Sequence, residues 1–135
     1  MISIKDIIDY EVKGGVCVIT YKPGIEIDSF MGESIIAEKK RLQEIDPVTK
    51  FIGVINWSSV SMKGLKISQF TTEEALKDVT HVGVVHLSDN KLLQVCYRII
   101  CKFVNWFIPV VETKGIKIKF FTNIEQSIIW ADEQV

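Results

Sequence analysis

The rhythm of apolar positions changes along this chain, and each change marks an element. Ile8, Tyr10 and Val12 alternate with Asp9, Glu11 and Lys13, the period-2 pattern of a strand with one wet face. Gly14-Gly15 then supplies the positive φ that a two-residue hairpin turn requires. Val16 to Tyr21 returns as a nearly continuous apolar run, the pattern of a strand buried on both faces, and Pro23-Gly24 ends it. "FIGVINW" (51–57) and "HVGVVHL" (81–87) repeat the buried pattern, whereas "GIKIKFF" (115–121) alternates Ile116, Ile118 and Phe120 with Lys117 and Lys119.

Between these runs the period lengthens to that of a helix. Asp28 is a good N-cap, and Met31, Ile35, Leu42 and Ile45 follow on one face up to Pro47. Thr71 with Glu74 forms a capping box ahead of Ala75, Leu76 and Val79. Asn90 opens a long helix that Pro109 follows, and Asn123 with Gln126 caps a last one through Ile124, Ile128 and Ala131. The order β-β-α-β-α-β-α-β-α predicts an α/β fold with right-handed crossovers. The expected sheet is five-stranded and mainly parallel, with an N-terminal β-hairpin and four helices. Because only the first and last strands alternate, they belong at the edges, and the strands should lie in sequential order, with Lys117 and Lys119 guarding an open edge. Residues 1–135 read as a single domain, without repeat, linker or low-complexity segment.

The helix "NKLLQVCYRIICKFVNWF", 90–107, is apolar on more than one face. At about 100° per residue, Lys91, Gln94, Arg98, Lys102 and Asn105 gather into one polar stripe. Leu93, Cys96, Ile100, Phe103 and Phe107 lie opposite and are expected to face the sheet. Two apolar flanks remain, one with Val95, Ile99 and Trp106, the other with Tyr97, Cys101, Val104 and Ile108. A neighbouring helix covers one flank more readily than both. The surplus is therefore the candidate interaction surface, for a homodimer or for the wall of an apolar pocket. A membrane span is disfavoured, since Arg98 and Lys102 near its middle would each cost about 2.5–3.5 kcal/mol.

Composition narrows the chemistry. With 16 Lys+Arg against 17 Asp+Glu the net charge is -1, which provides no global attraction to nucleic acid. The basic residues Lys91, Arg98, Lys102, Lys114, Lys117 and Lys119 read as solvated or snorkelling side chains. Lys5, Asp6 and Asp9 interrupt the N-terminal apolar residues, so no signal peptide is expected and the protein reads as cytoplasmic. Cys17, Cys96 and Cys101 lack a CxxC spacing and sit in apolar runs, as packing residues do. His81 and His86, an odd number of residues apart on a strand, point to opposite faces and do not suit a shared metal. No GxSxG, Walker A or GxGxxG pattern occurs. No catalytic residue, cofactor or metal is therefore assigned.

The hairpin-first order and the ending "KGIKIKFFTNIEQSIIW" resemble the STAS-like (SpoIIAA-like, anti-sigma-factor-antagonist-like) domains, and in particular the uncharacterised bacterial proteins of STAS/SEC14 type. Phe121, Asn123, Glu125 and Trp130 carry the resemblance at this end, and "YKPGIEID" (21–28) carries it earlier. It extends over essentially the whole chain. It implies a non-catalytic regulatory or protein-interaction module, with a regulatory protein or a second copy as partner. In such domains a loop hydroxyl at a helix N-terminus is phosphorylated to control partner binding. Here Gly64-Leu65-Lys66 stands roughly at that place, so the usual phospho-switch is expected to be absent. Ser58, Ser59, Ser61 and Ser68 are the nearby hydroxyls and otherwise read as turn or capping residues. The competing reading is a carrier or sensor that binds a lipid or other apolar ligand beside the 90–107 helix.

Overall fold

A computed structural model describes residues 4–13, 15–26, 29–46, 48–61, 77–111 and 115–133, without the side chains of 29–31, 107–111 and 133. The elements are α1 (Ile4–Ile7), β1 (Ile8–Lys13), β2 (Val16–Tyr21), β3 (Ile25–Glu26), α2 (Ser29–Ile45), β4 (Lys50–Asn56), β5 (Val60–Ser61), β6 (His81–Leu87), α3 (Lys91–Val111), β7 (Lys117–Phe121) and α4 (Ile124–Glu133).

The main sheet has five strands in the order β1-β2-β4-β6-β7, which is chain order. Only β1 and β2 pair antiparallel; β2·β4, β4·β6 and β6·β7 are parallel. Gly15, at φ 82°, takes the left-handed conformation that the hairpin turn demands. Two elements have no counterpart in the sequence reading: the single turn α1, and the two-residue parallel pair β3·β5 beside the main sheet. The helix expected from Thr71 lies outside the described residues.

Both faces of the sheet are packed. On one, Val16, Ile52, Val54, Val85 and Phe121 meet Ala131 of α4, with Ile128 and Trp130 completing the layer. Gly83 lies under this layer, where an added Cβ would sit in ordinary contact with Ile52 at 3.4 Å, Phe121 at 3.5 Å and Trp130 at 3.6 Å. On the other face Cys17, Phe51 and Ile116 pack against Leu42 of α2, and Ile8 packs against Ile35. The helices α2 and α4 thus flank the sheet, while α3 makes its contacts chiefly with β7 and less with β6.

Candidate functional site

The strand β7 is the sheet's edge, so alternate backbone groups along it have no strand partner. An amide side chain can satisfy such a pair, because it offers one donor and one acceptor in a single plane. Asn105 does this from α3: Phe120 N–H donates to its Oδ1 at 2.7 Å, and its Nδ2 donates to Phe120 O at 2.7 Å. Three turns earlier Gln94 does the same at the end of β6, accepting from Ser88 N–H at 2.8 Å and donating to His86 O at 3.3 Å. Between these two amides Cys101 is buried, 6% exposed, with its thiol 3.7 Å from Phe121 O. Tyr97 and Val104 are half-buried on the same side. The helix starts on Asn90, whose Oδ1 accepts from Leu92 N–H and Leu93 N–H.

This arrangement corrects the expected orientation of α3. Leu93, Cys96, Ile100 and Phe103 face solvent rather than the sheet, and Gln94 and Asn105 face inward rather than out. The physical reason is the edge. Edge-strand N–H and C=O groups need hydrogen-bonding partners, and the amides can supply them, whereas Leu or Phe cannot. The polar stripe therefore holds two kinds of residue: amides that bond the sheet, and the cations Lys91, Arg98 and Lys102, which are exposed. The helix also runs through Pro109 to Val111 rather than stopping before the proline.

The outward face is apolar along its length. Leu92 and Trp106 are each 72% exposed and Phe103 is 64% exposed, with Leu93, Val95, Ile99 and Ile100 beside them. These seven large apolar residues are each 44% exposed or more, and exposed apolar clusters of this kind mark interaction surfaces.

Of the expected surface residues, Val95, Ile99 and Trp106 are exposed, whereas Tyr97 and Val104 are half-buried and Cys101 is buried. The flank that carries Tyr97 is thus the covered one; the side chain of Ile108 is outside the described residues. Sequence reasoning misses Leu92, Leu93, Cys96, Ile100 and Phe103 as surface residues. The signal was the pair of amides: Gln94 and Asn105, 11 residues apart, lie on one side of the helix and differ in chemistry from the lysines between them.

A second polar cluster lies at the carboxyl ends of β4 and β6, where parallel sheets commonly place ligands. Its groups are engaged with one another. Asn56 Nδ2 donates to Asp89 Oδ1 at 3.0 Å, Asp89 N–H donates to Ser58 Oγ at 2.8 Å, and Ser58 Oγ lies 3.0 Å from Ser88 Oγ. Ser59 Oγ donates to Asn56 O, and Ser61 is exposed on β5. Ser68 and Gly64-Leu65-Lys66 lie outside the described residues. Trp57 Nε1–H donates to His86 Nδ1 at 3.0 Å, which places the proton of the neutral imidazole on Nε2. Phe120 and Tyr97 also stand against the His86 ring, and burial pushes its pKa below the ordinary value. His81 lies on the opposite face of the sheet, edge-on to Trp130.

Burial pushes the Cys17 thiol up to about 11 and raises that of Cys101, which disfavours the reactive thiolate at either position. Among the described residues no group of three or more His, Cys, Asp or Glu could hold a metal ion. No helix among the described residues is long and apolar enough to cross a membrane. A dent of about 10 Å3, room for no more than a water, lies under α2 against Ile8, Tyr10, Cys17 and Phe51; none of its lining residues belongs to α3.

No family model matches this chain, and no curated protein matches it. Among solved structures it is similar to an uncharacterized protein of the DUF3478 family with a SpoIIAA-like fold from Shewanella loihica PV-4. The identity is 16% and the TM-score 0.45, over 92% of this chain and 91% of that one.

Proposed function

We propose that this protein is a non-catalytic interaction module of STAS-like type that works by docking through the outward face of α3. The observation that carries the reading is the orientation of the helix. Its polar amides are spent on the edge strand β7 and on the end of β6, and seven large apolar residues face away from the core. Leaving Leu92, Phe103 and Trp106 in water forgoes roughly 1.5–3 kcal/mol of burial per large side chain, which a docked partner would recover.

The chemistry of the remaining polar groups supports a role without catalysis. His86 uses Nδ1 to accept from Trp57, and the Ser58 hydroxyl is engaged with Ser88 and Asp89 rather than with an imidazole. The phospho-switch common to STAS-like regulators is not part of the proposal. Stoichiometric phosphate on Ser58, Ser59, Ser61 or Ser68 after incubation with host lysate and ATP would overturn the expected absence of that switch. An apolar ligand beside α3 would need a cavity of about 300–1,000 Å3. The dent under α2 is smaller and has no wall from α3.

The docking face is tested with Nile red, an uncharged apolar dye, on the native protein. The wild type should bind it, and Ile99→Glu combined with Phe103→Glu should abolish binding with unchanged far-UV circular dichroism. A native wild type that leaves the dye in water, or a double variant that binds it as well as the wild type does, would overturn the reading.

A further inference from the structure

The charge around the outward face of α3 singles out one kind of occupant. Lys91–Val111 contains no Asp or Glu, although acids outnumber bases in the chain as a whole. Its cations are not scattered. At about 100° per residue, Lys91, Arg98 and Lys102 fall in one narrow strip directly beside Val95 and Trp106, between the apolar face and the amides that bond the sheet. All of them are exposed. The apolar face is therefore bordered along one side by cations at the height where it meets water, with an exposed indole next to them.

A second copy of this chain suits that border poorly. In an antiparallel pair of α3 helices related by a two-fold axis, the cationic strips of both copies lie on the same side, with no carboxylate from either helix between them. In a parallel pair each strip meets the flank of Leu93 and Val104, which carries no charge. Neither arrangement gives the cations an anion from α3 itself. A surface that is apolar inside and anionic at its boundary supplies one.

We propose that α3 lies flat on an anionic lipid surface, with its apolar face among the acyl chains and Lys91, Arg98 and Lys102 at the headgroup phosphates. This rests on the docking reading above and names the partner. It needs no span. A helix of this length, about 31 Å, lies in the interface with its axis parallel to the membrane and its apolar face sunk about 5–10 Å. Trp106, at the boundary between the apolar face and the cations, is where an indole is favoured at a bilayer surface. The sheet stays in water, held above the membrane by Asn105 and Gln94.

The test is flotation of the full-length protein with vesicles of phosphatidylcholine alone or containing about a third phosphatidylglycerol. Binding to the anionic vesicles, with little to the neutral ones and loss in high salt, is the expected result. Arg98→Glu with Lys102→Glu should weaken it on the order of 100-fold while leaving dye binding in place. Ile99→Glu with Phe103→Glu should abolish both. The Trp106 emission, obtained by difference from Trp106→Phe, should shift to the blue on anionic vesicles. Equal binding to both vesicles, or no binding to either, would overturn the lipid assignment. Dye binding that survives in that case would leave the docking face standing, and a dimer in sedimentation would then identify a second copy as its occupant. Loss of dye binding as well would remove the docking reading itself.

Discussion

Asn105 closes the open edge of the sheet by exchanging two hydrogen bonds of 2.7 Å with the backbone of Phe120. A helix bound to an edge strand in this way cannot turn its apolar side to the sheet, because the amide and that side lie on different faces of the same helix.

Replacing Asn105 by Leu should therefore destabilise the protein although it adds apolar surface to an already apolar helix. The loss of both partners for Phe120 is expected to cost about 1–3 kcal/mol, read as a lower urea midpoint at unchanged m-value. If Asn105 were a solvated member of a polar stripe, the same change would be nearly neutral.

The His86 imidazole accepts from Trp57 at Nδ1 and is surrounded by Trp57, Tyr97 and Phe120, so its neutral form is the one the fold stabilises. Its folded pKa lies below the unfolded value of about 6.5. The unfolded chain thus binds more protons in the window between the two, and stability rises with pH there. The contribution is full above about pH 6.5 and declines as pH falls toward the folded pKa. Chemical denaturation between pH 7.5 and 5 should show that decline in the wild type and a flatter profile in His86→Phe.

Lys50 reaches from β4 to donate to Ala131 O at 2.6 Å in the last turns of α4, where carbonyls lack helical donors and positive charge is favoured. Lys50→Met should lower stability by about 1 kcal/mol. Hydrogen exchange should report it as faster exchange in α4 rather than throughout the sheet. Uniform acceleration would mean that the bond matters to the whole fold and not to the helix end.

The sheet is legible in the sequence because each strand's pattern reports the number of faces it buries. Alternating Ile8, Tyr10 and Val12 mark one edge, Lys117 and Lys119 the other, and the runs between them go inside. The caps are equally legible, since Asn90 and Asn123 receive helix N–H donors as expected of their chemistry. The rotation of α3 is not legible from hydrophobicity alone. A periodicity analysis treats Gln94 and Asn105 as equivalent to Lys91 and Arg98, and so assigns the amides to water and Leu93, Ile100 and Phe103 to the core. What separates them is that an amide can pair with edge-strand backbone and an ammonium group cannot accept from it. α1 and the β3·β5 pair are too short for any period to appear.

The orientation of α3 is the premise on which the docking face depends, and two cysteines on that helix report it directly. Cys96 is exposed on the outward side and Cys101 is buried against β7, while Cys17 is buried in the sheet. Native protein at low concentration, treated with a water-soluble maleimide and digested for mass analysis, should carry the label at Cys96, with Cys17 and Cys101 labelled only after unfolding. Rapid labelling of Cys101 with Cys96 protected would place the apolar face of α3 against the sheet and contradict the account.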